Sequence, residues 1–201
     1  MSLLTIAQGM STLVSIQSPT SVLSNATDDN RKIIRFTTDA AEELERRVDW
    51  SAMRHVTTFT GTGANDDFEL PEDFSRLIEG NSVKSSSGPV RVGLSPDEWN
   101  SLTPVEGAPR YARLIGGSIS FYPYLAAAAT VAVTYQSKNW CPTGTRWGSD
   151  DEEAIVPEDL IRMGAVWRWR RHLGQDIQDY LAEYESALAD RAKFDGGIRS
   201  P

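Results

Sequence analysis

Apolar residues recur at Leu3, Ile6, Met10, Leu13 and Val14, a spacing close to the helical repeat that predicts a helix over residues 3–16 with one buried stripe. Ser18-Pro19-Thr20-Ser21 ends it. A second helix is predicted to start near Thr27 to Asp29, whose side chains accept from free N–H groups and suit the positive end of the helix dipole. It runs through Ile33, Phe36, Ala40, Leu44 and Val48, with Glu42, Glu43, Glu45, Arg46 and Arg47 facing elsewhere.

The period then changes. From about Val56 to Ser137 the chain is rich in Thr, Val, Gly and aromatic residues and carries most of the turn signals, which predicts a β-rich insert. Its clearest unit is a hairpin, Arg110 to Ile115 and Ser118 to Tyr122 joined by Gly116-Gly117. A third strand, Thr130 to Tyr135, extends this into a predicted meander. Ser95-Pro96-Asp97-Glu98 reads as a capped helix start, Gly61-Thr62-Gly63 as a turn, and Ser82 to Gly88 as an exposed loop.

Helix returns at Pro157-Glu158-Asp159-Leu160. The run Leu160 to Leu173 is apolar on more than one side, with Trp167 and Trp169 among Arg162, Arg168, Arg170 and Arg171, so this helix is predicted to pack on several faces. Gly174 stops it. A last helix carries Ile177, Tyr180, Leu181, Tyr184, Leu188 and Ala192, and Gly196-Gly197 releases the chain end. The expected class is α+β: a bundle of two N-terminal helices (1–55) and two C-terminal helices (151–201) with a β-rich insert (56–150) between them.

Composition narrows the function. The chain has 201 residues, 40% of them hydrophobic and 24% charged, as in an ordinary globular protein. The 28 acidic against 20 basic residues give a net charge of −8, which opposes tracking along a phosphate backbone. The single cysteine, Cys141, forbids an internal disulfide and a multi-cysteine zinc site. The first residues lack the basic flank and unbroken apolar run of a secretory signal, and no window approaches a membrane span.

Candidate chemistry is sparse. His55 and His172 share no metal-type spacing with Cys141 and read as polar residues at helix ends. Asp150-Asp151-Glu152-Glu153 lacks the alternating ligands and turning glycine of a calcium loop and reads as a solvated approach to the next helix. Gly61-Thr62-Gly63 lacks the Lys-Ser/Thr pair of a phosphate loop. The interleaved Trp167-Arg168-Trp169-Arg170-Arg171 has the composition of a nucleic-acid surface, but the acidic balance favours core packing or subunit contact. Trp140 and Trp147 bracket a loop containing Arg146 and mark either an interface or a cap of the insert against the helices. The expectation is a protein without catalytic residues, metal or cofactor.

Four segments in this order resemble the head-to-tail adaptor family of short-tailed phages, also called tail accessory or gatekeeper proteins. They are Glu43-Leu44-Glu45-Arg46-Arg47-Val48-Asp49-Trp50, Leu70-Pro71-Glu72-Asp73-Phe74-Ser75-Arg76, Gly116 to Pro123, and Val156-Pro157-Glu158-Asp159-Leu160-Ile161-Arg162 leading to Trp167-Arg168-Trp169, Gly174 and Glu183-Tyr184-Glu185. The resemblance implies a virion protein made in the host cytoplasm that forms a twelvefold ring beneath the portal. Such a ring joins the portal to a tail nozzle or hub and lets DNA pass without specific binding. It implies portal contact by Phe194, Asp195, Gly196, Gly197, Ile198, Arg199, Ser200 and Pro201. Trp140, Arg146, Trp147, Arg168 and Arg171 are the candidates for subunit or nozzle contact. A connector of a long-tailed phage is the nearest alternative, and a tail-associated hydrolase a more distant one.

Overall fold

The computed structural model describes residues 2–25, 27–80 and 82–195. Five helices and eleven strands follow one another as α1 (Leu3–Val14), α2 (Asp28–Arg47), β1 (Arg54–Thr60), β2 (Asp67–Glu69), β3 (Phe74–Leu77), β4 (Val83–Ser85), β5 (Gly88–Pro89), β6 (Arg91–Val92), α3 (Pro96–Asn100), β7 (Glu106–Gly107), β8 (Tyr111–Ile115), β9 (Ser118–Tyr122), β10 (Tyr124–Leu125), β11 (Thr130–Ser137), α4 (Glu158–His172) and α5 (Gln178–Asp195). They form the expected α+β arrangement, helices at both ends and strands between. Two compact units result, one of Met1–Met53 with Lys138–Pro201 and one of Arg54–Ser137.

In the helical unit, α4 packs against α1, α2 and α5. Leu160, Ile161, Gly164, Ala165, Val166, Trp167 and Trp169 are all buried, which is why its apolar positions surround the axis instead of forming one stripe. Gly164 sets the approach to α2. A Cβ built there would lie 2.8 Å from the Ala40 Cβ and 3.4 Å from the Tyr184 ring, so the helices meet at a distance only glycine permits. The core around this crossing contains Leu3, Ile6, Met10, Ile33, Leu44, Tyr184 and Leu188.

Segment 138–150 belongs to this helical unit, although its turn-rich composition groups it with the insert. Trp140 and Trp147 pack edge to face, 5.0 Å between ring centroids, inside the helical core. The Trp147 indole N–H donates to Thr37 Oγ1 at 3.2 Å. Two members of the acidic run, Asp150 and Glu152, are structural instead of solvated, while Asp151 and Glu153 are exposed. The Asp150 carboxylate accepts from Ser21 Oγ at 2.6 Å and from the backbone N–H groups of Val22 at 3.1 Å and Leu23 at 2.9 Å. Glu152 is buried and accepts from Gly148 N and from Thr143 N at 3.0 Å. The carbonyls of Asp150 and Glu152 receive the free N–H groups of Leu4 and Leu3 at the start of α1.

The strand-rich unit departs from the expected meander. The β8–β9 hairpin forms as predicted, with Gly116 and Gly117 at φ 58° and 87°, but its sheet runs β2-β9-β8-β6. The third strand, β11, lies in a different sheet, where it pairs with β1, β3 and β4. Between the two, β10 turns aside to pair in parallel with β7. The polar stretch at Ser82 is no loop either. Val83 is fully buried opposite Val133, and that one apolar side chain draws β4 onto β11. His55 sits in β1 opposite Tyr135, not at a helix end. The capped helix start is α3, where Ser95 Oγ accepts from Glu98 N at 3.2 Å and Glu98 accepts from Ser95 N at 2.8 Å.

The α2–α4 crossing yields a test. Gly164→Val places two branches where a single Cβ already meets Ala40, and destabilisation of about 1–3 kcal/mol or more is expected from overpacking. Ala40→Gly combined with it should recover part of the loss. Urea unfolding of the four proteins measures the coupling, and strict additivity would show that the two positions do not share the contact.

Candidate interaction surfaces

The predicted contact residues divide sharply by exposure. Trp140 is fully buried and Trp147 nearly so, so both serve the chain's own core, while Arg146 between them is exposed. The loop is pinned on one side by Glu152 and on the other by the two indoles, which holds Arg146 on a fixed support.

The tryptophan and arginine cluster of α4 separates in the same way. Trp167 and Trp169 are buried. The Arg168 guanidinium lies 4.2 Å from the Trp167 ring centroid, donates to the Gly164 carbonyl at 2.9 Å and pairs with Glu43. Arg170 stacks on Tyr180 at 4.1 Å and donates to the Leu13 carbonyl at 3.0 Å. Of these three arginines only Arg171 is exposed, on a shallow groove formed with Phe36, Asp39, Trp167, Arg168 and His172. Arg168 is thus a bracing residue whose charge is spent inside the molecule. Glu43 also takes Arg47 at 3.0 Å, and Arg47 makes a two-pronged pair with Glu185 at 2.7 and 2.6 Å. The chain Arg168–Glu43–Arg47–Glu185 ties α4, α2 and α5 together.

At the end of α5, Phe194 is 90% exposed. The carboxylate of its neighbour Asp195 accepts from Ser51 N at 3.2 Å and from Ser51 Oγ. Gly196, Gly197, Ile198, Arg199, Ser200 and Pro201 lie outside the described residues. In the strand-rich unit, Val56, Val105, Leu114 and Ile115 are exposed, the last two at the hairpin tip. Sequence reasoning missed Val56, Leu114 and Ile115 because their spacing matches that of ordinary strand residues, while Val105 stands just outside β7.

Groups with shifted protonation belong to the scaffold. Burial pushes the Cys141 thiol up, away from the reactive thiolate. Burial likewise raises Tyr184, and burial with the 2.8 Å hydrogen bond to Asp73 pushes Tyr135 up to about 12. His55 lies against Tyr135 and His172 against Phe36, with ring centroids 5.8 and 5.9 Å apart. Among the described residues no three His, Cys, Asp or Glu side chains group to hold a metal ion, and no helix is long and apolar enough to cross a membrane.

A braced helical body and a strand-rich unit with exposed apolar side chains suit a structural protein that works by contact. The family model described as SU10 adaptor protein matches residues 1–201, and the chain belongs to that family. It is therefore a phage adaptor, a virion component that links head and tail parts, in a family of structural adaptors and not of enzymes. No curated protein matches the chain.

The hydrogen-bonded carboxylates predict acid sensitivity. Burial raises Asp150 and Glu152, but the hydrogen bonds from Ser21, Leu23 and Val22 to the one, and from Thr143, Gly148 and Ser149 to the other, outweigh it and hold both below the usual range. The hydrogen bond from Arg47 holds Glu185 low as well. With folded values below unfolded ones, these groups stabilise the fold above about pH 4 and lose that contribution as pH falls further. Urea midpoints should be flat from pH 7 to 5 and fall below pH 4, and Glu152→Gln should lower the neutral-pH stability while shallowing the acid slope.

Proposed function

We propose that the protein forms a twelvefold ring beneath the portal of a short-tailed phage, joins it to the tail nozzle and continues the channel through which DNA leaves. The carrying observation is the match to an adaptor family over the whole chain. The acidic balance of the chain suits a channel wall that does not hold phosphates. The helical unit, braced through Gly164 and the Arg168–Glu43–Arg47–Glu185 chain, supplies a rigid ring body. The end of the chain from Phe194 onward contacts the portal. Arg146 and Arg171 contact a neighbouring subunit or the nozzle, with Trp140, Trp147 and Arg168 holding them in place from within.

Purified protein mixed with portal rings and imaged by electron microscopy should show an added ring density on one face of the portal. Absence of any added density at saturating protein would overturn the reading. Arg146→Ala and Arg171→Ala, both at exposed positions, should each weaken co-assembly several-fold while leaving the melting temperature within a degree or two. Double-stranded DNA at physiological salt should give no retained complex in a mobility-shift assay.

A further inference from the structure

The most exposed large apolar side chain among the described residues is Phe194, and a cleft of about 210 Å³ opens elsewhere in the same unit. Leu13 of α1, Met163 and Val166 of α4 and Tyr180 of α5 line the cleft, with Arg162 and Glu183 completing it. An apolar cavity of about 150 Å³ accepts a benzene molecule, so the cleft has room for a phenyl ring. Leu13 is itself 40% exposed there.

We propose that Phe194 of one copy seats in the α1–α4–α5 cleft of a neighbouring copy, joining successive subunits head to tail. This rests on the ring reading above and takes Phe194 itself out of the portal-facing segment, leaving the portal to the residues after it. Three observations carry it. First, the cleft is beyond the reach of the same chain's Phe194. Tyr180 and Glu183 lie on α5 itself, fourteen and eleven positions earlier, about 21 and 16 Å away along a straight helix. Second, the ring is presented on a fixed support, because Asp195 ties the end of α5 to Ser51, and little ordering is needed on binding. Third, the charges complement. Lys193, whose pair with Asp190 at 3.3 Å is open to solvent, precedes the phenylalanine, while Glu183 lines the cleft and makes no ion pair among the described residues. Because projection and cleft are different patches, the contact is heterologous, the kind that generates a closed ring when its rotation closes.

The test is disulfide trapping with the double variant Glu183→Cys, Lys193→Cys, which leaves Phe194 in place. Both positions are exposed, and the native Cys141 is buried. The two new cysteines are too far apart along α5 to pair within one chain, since a disulfide needs Cα atoms within about 7 Å. Mild oxidation should give a ladder of covalent multimers on denaturing gels, whereas each single variant should stop at dimers. Phe194→Ala should weaken self-association at least tenfold by light scattering, with an unchanged melting curve. If wild-type protein self-associates but the double variant yields nothing beyond the single-variant products, the interface is wrong and the ring reading stands. If Phe194→Ala loses portal binding but associates with itself as wild type does, Phe194 belongs to the portal contact and the inference fails. If wild-type protein assembles neither alone nor on portal rings and no ladder forms, both readings fall.

Discussion

The helical unit depends on the approach of α4 to α2 at Gly164 and Ala40. With one helix walled in by three others, the apolar residues around its axis all find partners, and every charged residue that it carries must either reach solvent past a neighbour or be neutralised on the way. Arg168 takes the second course, stacking on Trp167 and meeting Glu43. Arg170 does much the same through Tyr180 and the Leu13 carbonyl. A segment whose composition suits nucleic acid is thereby turned into bracing, and only Arg171 keeps an exposed charge. A pair such as Arg47–Glu185, about a third to two fifths exposed, adds little stability by itself. Its value lies in fixing how three helices are oriented.

What the sequence made legible was local. The 3.6-residue spacing of α1, α2 and α5, the all-round apolarity of α4, the Ser95–Glu98 capping box and the Gly116-Gly117 turn each depend on residues a few positions apart, and each has the predicted form. The failures concern partners far apart in the chain. Nothing near Thr130 states that its strand will lie beside residues 54–60 in place of the adjacent hairpin. A single valine in a run of serines and glycines does not announce a strand until Val133 stands opposite it. The acidic run looked solvated because its acceptors' donors, Ser21 to Leu23 and Thr143 to Gly148, lie in loops without periodicity.

The same distinction governs the surface. Residue type left Trp140 and Trp147 as either contact residues or a cap on the helices; both are buried in the core, and the most exposed large aromatic among the described residues is Phe194. Residue type is carried by the sequence, whereas accessibility is decided by packing. Arginine proved as divided as tryptophan, with Arg146 and Arg171 outward and Arg168 inward, because each sits on a different side of a segment whose orientation only tertiary contacts decide.

The pairing of β1 with β11 also bears on how such a protein changes over evolutionary time. Arg54 and Gln136 stand opposite each other in register, so the strand-rich unit begins and ends on adjacent strands, about 5 Å apart. It is a cassette with its two connections side by side. Loops within it can lengthen, shorten or be exchanged without moving the points at which the helical polypeptide is interrupted. A change confined to the cassette thus leaves the packing of the helical core as it is.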